Sequence, residues 1–315
     1  MASPDHLRYP LMTQIDVRVL RVDRAFVLGK CSSFVDFQLW PIRSMMDPEG
    51  WLHNFTSHEQ EYAHHLLNSF LYYSEPLMRA LFIAGFQNIS STRRHAARLY
   101  HPEQLAWREF CDNLIVTYVT GEIPNPTDSG FLFARMARQF LGIGEGRIVD
   151  PRDALRALSM GRQRPILFVD DFVGSGEQFI STWRRPYDIG AAGHLSFESY
   201  ARSNSGDYYY CPLLCTSDGA QAIARSCPSV QVSPGNWLTP RYSALHPNSL
   251  VWPEHLRATG PTFVLTASQR AGIPDTDGGQ NDWRGFHRLG LSIAFQHSVP
   301  DATLPLFYWT AAGPH

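Results

Sequence analysis

The spacing of hydrophobic residues divides the chain into parts with different predicted structures. The first forty residues alternate apolar and polar positions, as in TQIDVRVLRV, which predicts strands and turns. From Pro48 to about Ala84 apolar residues recur every three or four positions, which predicts two or three helices. From about residue 112 short apolar runs alternate with amphipathic segments, and this pattern is typical of an α/β fold.

The elements predicted in the second half define the fold class. Strands are expected at 113–119, 165–169, 194–201 and 208–216, and helices at 129–142, 150–161, 177–185 and 218–226. Strands that alternate with helices predict a mostly parallel sheet covered by helices on both faces. At the C-terminus LGLSIAFQH and TLPLFYW predict two further strands, joined by the loop SVPDA into a hairpin.

Length and composition set the domain organisation. A chain of 315 residues, 44% of them hydrophobic, has room for one large or two modest domains with a sizeable core. We expect a mainly helical N-terminal extension over 1–111 and an α/β domain over 112–315. No apolar run approaches the roughly 20 residues of a membrane span, and MASPDHLRYP lacks the pattern of a signal peptide, so a cytoplasmic location is expected.

Charge and lysine content exclude several kinds of chemistry. The net charge of −2 gives no global basic field, so the chain carries no strong intrinsic signal for nucleic-acid binding. Lys30 is the only lysine, which argues against a Schiff base or a P-loop. The five cysteines are scattered and odd in number, and Cys211 and Cys215 have no second pair, so buried thiols are expected.

Three histidines on one predicted helix suggest a zinc site, but their spacing does not fit. A zinc helix places two histidines four residues apart on one face. His64 and His65 stand six and seven residues after His58, so surface histidines are the better interpretation. We expect no metal that is ligated directly by the protein.

The segment RPILFVDDFVGSGEQF, residues 164–179, carries the strongest chemical signal. An apolar strand ends in Asp170 and Asp171, and Gly174-Ser175-Gly176 then leads into a helix. Ligands of open α/β sheets bind at the carboxyl ends of strands, and a glycine loop before a helix lets backbone N–H groups approach an anion. One site thus offers carboxylates for hydroxyls or a metal and a cradle for phosphate, as a sugar phosphate requires.

The segment fits other interpretations less well. Ser175 and Gln178 have the spacing of a capping box, so the loop could simply start a helix, and Asp170 could be a turn residue. A P-loop lysine is absent, and Phe179 occupies the third glycine position of a dinucleotide fingerprint. The ordered combination of strand, two acids and glycine loop favours a functional site over a simple turn and helix start.

The stretch ILFVDDFVGSGEQ resembles the phosphoribosyl-pyrophosphate (PRPP) motif of type I phosphoribosyltransferases. The resemblance implies that Asp170 and Asp171 act at the ribose 2′- and 3′-hydroxyls. It also implies a loop around the 5′-phosphate that consists of Val173, Gly174, Ser175, Gly176 and Gln178. Ser175 replaces a usual threonine, Gln178 stands where many members have a phosphate-binding threonine, and Glu177 adds a negative charge.

The same resemblance implies a pyrophosphate loop after the strand at 113–119. Its candidates are Gly121, Thr127, Ser129 and Gly130. A plain connecting loop explains these residues about as well.

The C-terminal stretch GFHRLGLSIAFQHSVPDATLPLFYW resembles the hood-like segment of phosphoribosyltransferase-like proteins from bacterial conflict and antiphage loci, including retron systems. The helical leader WLHNFTSHEQEYAHHLL resembles theirs as well. The resemblance implies that segment 285–309 overhangs the sugar-phosphate pocket with His297, Asp301 and Thr303. An edge hairpin with a polar tip is the alternative for this segment.

The resemblance implies a protein that acts on a ribose 5-phosphate compound, either PRPP or a nucleotide, with Mg²⁺ bound through the pyrophosphate of the substrate. It implies an effector of antiphage defence and allows a partner from the same system, such as a reverse transcriptase with its RNA and DNA. The alternative from a different class is a sensor that binds PRPP or a nucleotide without chemistry.

Overall fold

The computed structural model of the protein describes residues 21–93, 100–121, 130–161, 163–190, 193–310 and 313–314. The helices in these ranges are α1 (Arg24–Asp36), α2 (Pro48–Leu52), α3 (Gln60–Asn68), α4 (Glu75–Arg93), α5 (Tyr100–Asn113), α6 (Gly130–Leu141), α7 (Pro151–Ser159), α8 (Glu177–Arg184), α9 (Phe197–Ser203), α10 (Ser217–Ser226) and α11 (Gly260–Arg270). The strands are β1 (Leu71–Tyr73), β2 (Ile115–Tyr118), β3 (Ile166–Val173), β4 (Tyr187–Asp188), β5 (His194–Leu195), β6 (Tyr208–Thr216), β7 (Val230–Val232), β8 (Asn236–Leu238), β9 (Ile293–Phe295), β10 (Trp309–Thr310) and β11 (Gly313–Pro314).

A parallel sheet organises the second half of the chain. Its strand order is β2-β3-β6-β7, and β8 pairs with the far end of β6. Each of these strand pairs is parallel, and helices lie between β2 and β3, between β3 and β6, and between β6 and β7 along the chain. The predicted fold class, a mostly parallel sheet with helices on both faces, is confirmed.

Each face of the sheet carries its own hydrophobic core. The core on one face is formed with α4, α5 and α6 and includes Phe82, Phe110 and Phe133. The core on the other face is formed with α7, α8, α9 and α10 and includes Trp183 and Phe197. Burial on both faces explains why β3 begins with a continuous apolar run.

A third core joins the beginning of the described chain to its end. Trp40 and Leu52 from the N-terminal part pack with Trp252 and Phe263 from the C-terminal part. Strand β1 pairs in parallel with β9. The predicted domain boundary between residues 111 and 112 falls inside helix α5. Within the ranges that the structure describes, no helix combines the length and the apolarity needed to cross a membrane.

Two strand predictions are wrong. Part of the first forty residues forms α1, which begins where the Asp23 side chain accepts a hydrogen bond from the Phe26 N–H at 2.9 Å. Most of TQIDVRVLRV lies outside the described residues. The segment 194–201 is largely helix α9, because Ser196 and Ser199 form a reciprocal capping box that starts a helix.

The C-terminal segment is not the predicted hairpin. Its first strand, β9, pairs with β1 in parallel instead of with the residues that follow it. Residues Pro305–Phe307 form a turn of 3₁₀ helix, and β10 pairs with β11. Pro305 has no backbone N–H to donate to a strand ladder, which favours the turn at this position.

The loop before β9 is fixed by the buried carboxylate of Asp282. It accepts hydrogen bonds from the N–H groups of Thr276, Gly278 and Arg284, each at 2.9 Å, and from the Arg284 guanidinium at 2.8 Å. Burial alone would raise the pKa of Asp282, but these hydrogen bonds outweigh it and hold the pKa far below its ordinary value. The loop is therefore locked around a charged carboxylate.

We predict that Asp282→Asn lowers the free energy of unfolding by about 2–3 kcal/mol at pH 7, because it weakens hydrogen bonds to a buried charge. The pKa is depressed in the folded state, so this stabilisation is present above the unfolded pKa of about 4 and is lost as pH falls below it. Urea unfolding at pH 7 and at about pH 2.5, which lies below the unfolded pKa, should show a smaller difference between parent and variant at the lower pH. The exposed Asp36→Asn is the control, and an equal difference at both pH values would contradict the role of the charge.

Candidate functional site

The acidic pair lies inside strand β3 and not after it. The predicted strand ended at residue 169, but β3 continues to Val173 because β6 extends beside it, with Asp170 opposite Pro212 and Val173 opposite Cys215. Neighbouring residues of a strand point to opposite faces of the sheet. The two acids therefore enter different environments.

Asp170 points into the core on the face of α8. Its side chain is almost entirely buried, the Tyr210 hydroxyl donates to its Oδ2 at 3.0 Å, and the Asp171 N–H donates to its Oδ1 at 3.0 Å. Burial, followed by the negative charge of Asp171, raises the pKa of Asp170 well above its ordinary value. We therefore expect Asp170 to stay protonated to a higher pH than an ordinary aspartate and to position Asp171 without touching a ligand.

Asp171 is the acid that reaches the surface. Its side chain is 14% exposed, and its Oδ2 lies 3.0 Å from Nε2 of His297. The imidazole of His297 stacks on Phe295 at 5.5 Å between ring centroids and meets the edge of Phe133 at 5.9 Å. The predicted residues Asp171 and His297 are thus brought together, although 126 positions separate them.

The glycine loop follows directly after β3. Gly176 has a φ of +85°, in the left-handed region where glycine is favoured, and stands at the start of α8 without a side-chain cap. Ser175 Oγ accepts from the Glu177 N–H at 3.3 Å, so the alternative capping box with Gln178 is not formed, and Gln178 is exposed. In the part of the chain that the structure describes, the N–H groups of Gly174, Ser175 and Gly176 have no assigned acceptor.

Glycines also let α10 pack directly against this loop. A Cβ on Gly176 would lie 2.8 Å from the carbonyl oxygen of Gly219, and a Cβ on Gly219 would lie 2.3 Å from that of Gly174. The Thr216 hydroxyl donates to the Gly174 carbonyl. The glycine at 176 is therefore required by packing against α10, and a side chain there would meet the protein itself.

The C-terminal segment covers the loop. His287 Nε2 lies 3.3 Å from Glu177 Oε2, and a Cβ on Gly174 would lie 3.1 Å from Leu289 Cδ1. His287 and Arg288 both have left-handed backbone angles, φ +53° and +59°, which side chains rarely adopt. Such strain clusters at functional sites, and His287 lies beside the loop here through its contact with Glu177.

The other predicted residues of this segment have structural contacts. Thr303 is fully buried, and its hydroxyl donates to the Ile293 carbonyl at 2.7 Å. Asp301 is exposed, and its backbone carbonyl accepts from the Phe286 N–H at 2.7 Å. Of the three candidates His297, Asp301 and Thr303, His297 therefore contacts the acid and Thr303 is engaged inside the segment.

The predicted pyrophosphate loop is described only at its ends. The Gly121 carbonyl accepts from Nη2 of Arg185 at 2.7 Å, and Gly130 is the first residue of α6. Thr127 and Ser129 lie outside the described residues.

Several residues of the site were missed in the sequence. A cleft of about 280 Å³ adjoins the loop and is lined in part by Thr216, Ser217, Asp218, Thr239, His246 and His287. Tyr210 and Gly219 support the two acids and the loop from β6 and α10. Tyr210 could not be recognised from the sequence because it lies in the apolar strand β6. The contact of Gly219 could not be recognised because it forms only where α10 approaches the glycine loop.

The histidines of the predicted zinc helix do not all lie at the surface. His64 is buried in α3, so the expectation that all three histidines lie at the surface is wrong for this residue. Among the described residues, no group of three or more His, Cys, Asp and Glu side chains is arranged to hold a metal ion.

A family model matches most of the chain. The sequence model of the family PRTase-CE matches residues 48–314, which includes the helical leader, the sheet and the C-terminal segment. No curated protein and no solved structure matches the chain.

We predict unequal effects of removing the two charges. Asp171→Asn should lower the affinity for ribose 5-phosphate about tenfold or more, because it removes a charged hydrogen-bond acceptor from the site. Asp170→Asn should change the affinity by less than about threefold, since an isosteric amide keeps an acceptor for the Asp171 N–H. Calorimetric titration of both variants measures this, with melting curves as the control for folding. Equal losses in both variants would show that Asp170 reaches the ligand.

Gly219→Ala should displace the loop after β3, because its Cβ would lie 2.3 Å from a backbone oxygen. We expect a loss of about 1–3 kcal/mol in stability and weaker binding of ribose 5-phosphate. The matched control is Gly29→Ala in α1, where no atom lies within 4 Å of the new Cβ. That control should stabilise the helix by about 0.5–1 kcal/mol. Parent-like melting and binding in Gly219→Ala would refute the packing argument.

Proposed function

Because the chain belongs to the PRTase-CE family, a family of the phosphoribosyltransferase type, we propose that it acts on a ribose 5-phosphate compound, either PRPP or a nucleotide. The observation that carries this proposal is the position of Asp171. A partly exposed carboxylate stands at the carboxyl end of the central strand β3, and the glycine loop follows within three residues. A sugar hydroxyl and a 5′-phosphate on one molecule match these two features.

The loop supplies the phosphate site in this proposal. The N–H groups of Gly174, Ser175 and Gly176 and the positive end of α8 favour an anion. Glu177 is held by His287, which limits the repulsion between its carboxylate and a bound phosphate. Asp171 then accepts a hydrogen bond from a hydroxyl of the sugar.

The reaction is substitution at the anomeric carbon. The bond from C1 to pyrophosphate or to a base breaks, the leaving group departs with the electron pair, and a nucleophile donates its lone pair to form the new bond to C1. Positive charge develops on the sugar in the transition state, so catalysis depends mainly on positioning and charge. The carboxylate of Asp171 holds the sugar and stabilises this charge.

Magnesium is proposed to arrive with the substrate. Mg²⁺ prefers hard oxygen ligands and is usually held by one or two carboxylates together with substrate phosphates and water. Asp171 fits this requirement, directly or through water, whereas the buried Asp170 does not. When bound, the ion neutralises charge on a pyrophosphate.

The proposed setting is bacterial antiphage defence in the cytoplasm. The family match extends over the helical leader and the C-terminal segment as well as the sheet, which supports an architecture larger than a minimal sugar-phosphate domain. In this setting the protein is an effector that depletes or modifies nucleotides, and a reverse transcriptase with its RNA and DNA is a candidate partner.

A sensor without chemistry is the second candidate function. Two observations favour it: Asp170 is withdrawn into the core, and Asp171 is already bound by His297.

The two functions are separated by one assay. The protein is incubated with Mg²⁺ and PRPP, with and without a panel of bases, and in parallel with single nucleotides. We expect release of pyrophosphate or free base, and its loss in Asp171→Asn but not in the exposed control Asp36→Asn. Binding by calorimetry without release supports the sensor, and neither binding nor release contradicts both functions.

A further inference from the structure

We propose that a cleft at the amino ends of strands β3 and β6 binds a small anion through a phosphate or carboxylate group. The cleft has a volume of about 300 Å³, at the lower end of the range for small-molecule sites. Its lining includes Arg164, Tyr200, Gly206, Asp207 and Tyr208. Asp171 stands five positions after the first residue of β3, Ile166, which places it roughly 16 Å further along the strand. The cleft is therefore separate from the candidate functional site.

A buried hydroxyl without a partner lies at the wall of this cleft. Tyr208 is 2% exposed, and in the part of the chain that the structure describes its hydroxyl has no hydrogen-bond partner. A Cβ on Gly206, which also lines the cleft, would lie 2.8 Å from the hydroxyl oxygen, so the glycine leaves room beside it. An unsatisfied buried hydroxyl is costly, and a ligand that accepts its hydrogen bond removes this cost.

The Tyr208 hydroxyl is held as a hydrogen-bond donor. Its ring packs edge-on against Trp183, with 5.0 Å between the ring centroids. Burial raises the pKa of the Tyr208 hydroxyl, so the hydroxyl keeps its proton at neutral pH. The nearby Tyr200 hydroxyl already donates to the Leu158 carbonyl at 3.1 Å. The cleft thus offers one unused buried donor, and the group that accepts from it comes from outside the described protein.

The charges at the cleft favour an anion. Arg164 is half-buried, and among the described residues its guanidinium has no ion pair and no hydrogen-bond partner. Asp207 supplies a carboxylate to the lining, but Nη1 of Arg93 lies 2.7 Å from its Oδ2 and offsets its charge. The positive charge of Arg164 is therefore left without a counter-charge. The N–H groups of a guanidinium match the oxygens of a carboxylate or a phosphate.

Two helices end beside the cleft, and their carbonyl groups already have donors. The carboxyl end of a helix carries partial negative charge, which would disfavour an anion. The Leu158 carbonyl near the end of α7 accepts from the Gly161 N–H at 3.1 Å. The Tyr200 carbonyl near the end of α9 accepts from the Asn204 N–H at 3.0 Å. These hydrogen bonds reduce the negative potential at the cleft, so the charge of Arg164 determines its sign.

The first experiment measures occupancy at Arg164 itself, so binding of an anion at the glycine loop does not interfere. The full chain is treated with phenylglyoxal, which modifies guanidinium groups, and mass spectrometry identifies the modified residues. Inorganic phosphate and acetate are the probes, at constant ionic strength. At about ten times its dissociation constant, a bound probe should slow the modification of Arg164 about tenfold. The modification of Arg202, an exposed arginine of α9, should not change.

The two probes distinguish the group that is bound. Protection by phosphate alone identifies a phosphate group, protection by acetate alone identifies a carboxylate, and protection by both shows that either group is accepted. Protection by neither probe would assign the Tyr208 hydroxyl to water and overturn the proposal. Equal protection of Arg164 and Arg202 would show ionic screening only and would overturn it as well.

The second experiment removes the buried donor. Tyr208→Phe keeps the ring on Trp183 but has no hydroxyl, so the probe concentration that half-protects Arg164 should rise about threefold to tenfold. Without a probe, the melting temperature of this variant should equal or exceed that of the parent, because no hydrogen bond is lost. Tyr200→Phe is the matched control. It loses the hydrogen bond to Leu158, so it should melt at a lower temperature and keep the protection of the parent.

Two results of this experiment would contradict the proposal. Parent-like protection in Tyr208→Phe would show that the hydroxyl does not reach the anion. A lower melting temperature of Tyr208→Phe without a probe would show that the hydroxyl has a partner within the protein.

Discussion

The alternation of side chains along strand β3 is the constraint on which the site depends. Because β6 accompanies β3 as far as Val173, the two neighbouring acids both lie within the strand, and their side chains contact opposite faces of the sheet. Asp170 enters the core beside Tyr210, and Asp171 reaches His297 on the other face. Two chemically identical residues thus obtain different roles, one as a support of the backbone and the other as the carboxylate of the site.

Burying Asp170 is tolerable only because its polar atoms are satisfied. An unpaired buried polar group costs about 1–3 kcal/mol, and a buried charge costs more. Burial raises the pKa of Asp170, which favours the neutral form of the group, and its two oxygens accept hydrogen bonds from the Tyr210 hydroxyl and the Asp171 N–H. The hydrogen bond from the Asp171 N–H to Asp170 fixes the backbone of Asp171. The start of the glycine loop, three residues later, is fixed with it.

Local signals predicted the strand, the acids, the loop and the helix after it, since each depends on residues within about twenty positions. The burial of Asp170 could not be predicted in this way, because it depends on the length of β6 and on Tyr210, forty residues away. The pairing of β1 with β9 joins segments about 220 positions apart, and the apolar pattern of each segment does not indicate which strand it pairs with. Helix α9 was mistaken for a strand because its apolar residues alternate locally, whereas Ser196 and Ser199 decide the outcome through a capping box.

The third core ties the N-terminal part of the chain to the chemistry of the site. Strand β1 pairs with β9, which ends at Phe295, and the ring of Phe295 carries the imidazole of His297. Asp282 fixes the preceding loop, from which His287 and Leu289 reach the glycine loop. Asp171 contacts His297, and His297 stacks on Phe295 of β9. The surroundings of the Asp171 carboxylate therefore depend on the pairing of β1 with β9, which lies outside the main sheet. The N-terminal part is therefore a structural component of the candidate site, since without β1 the ring that positions His297 would lose its support.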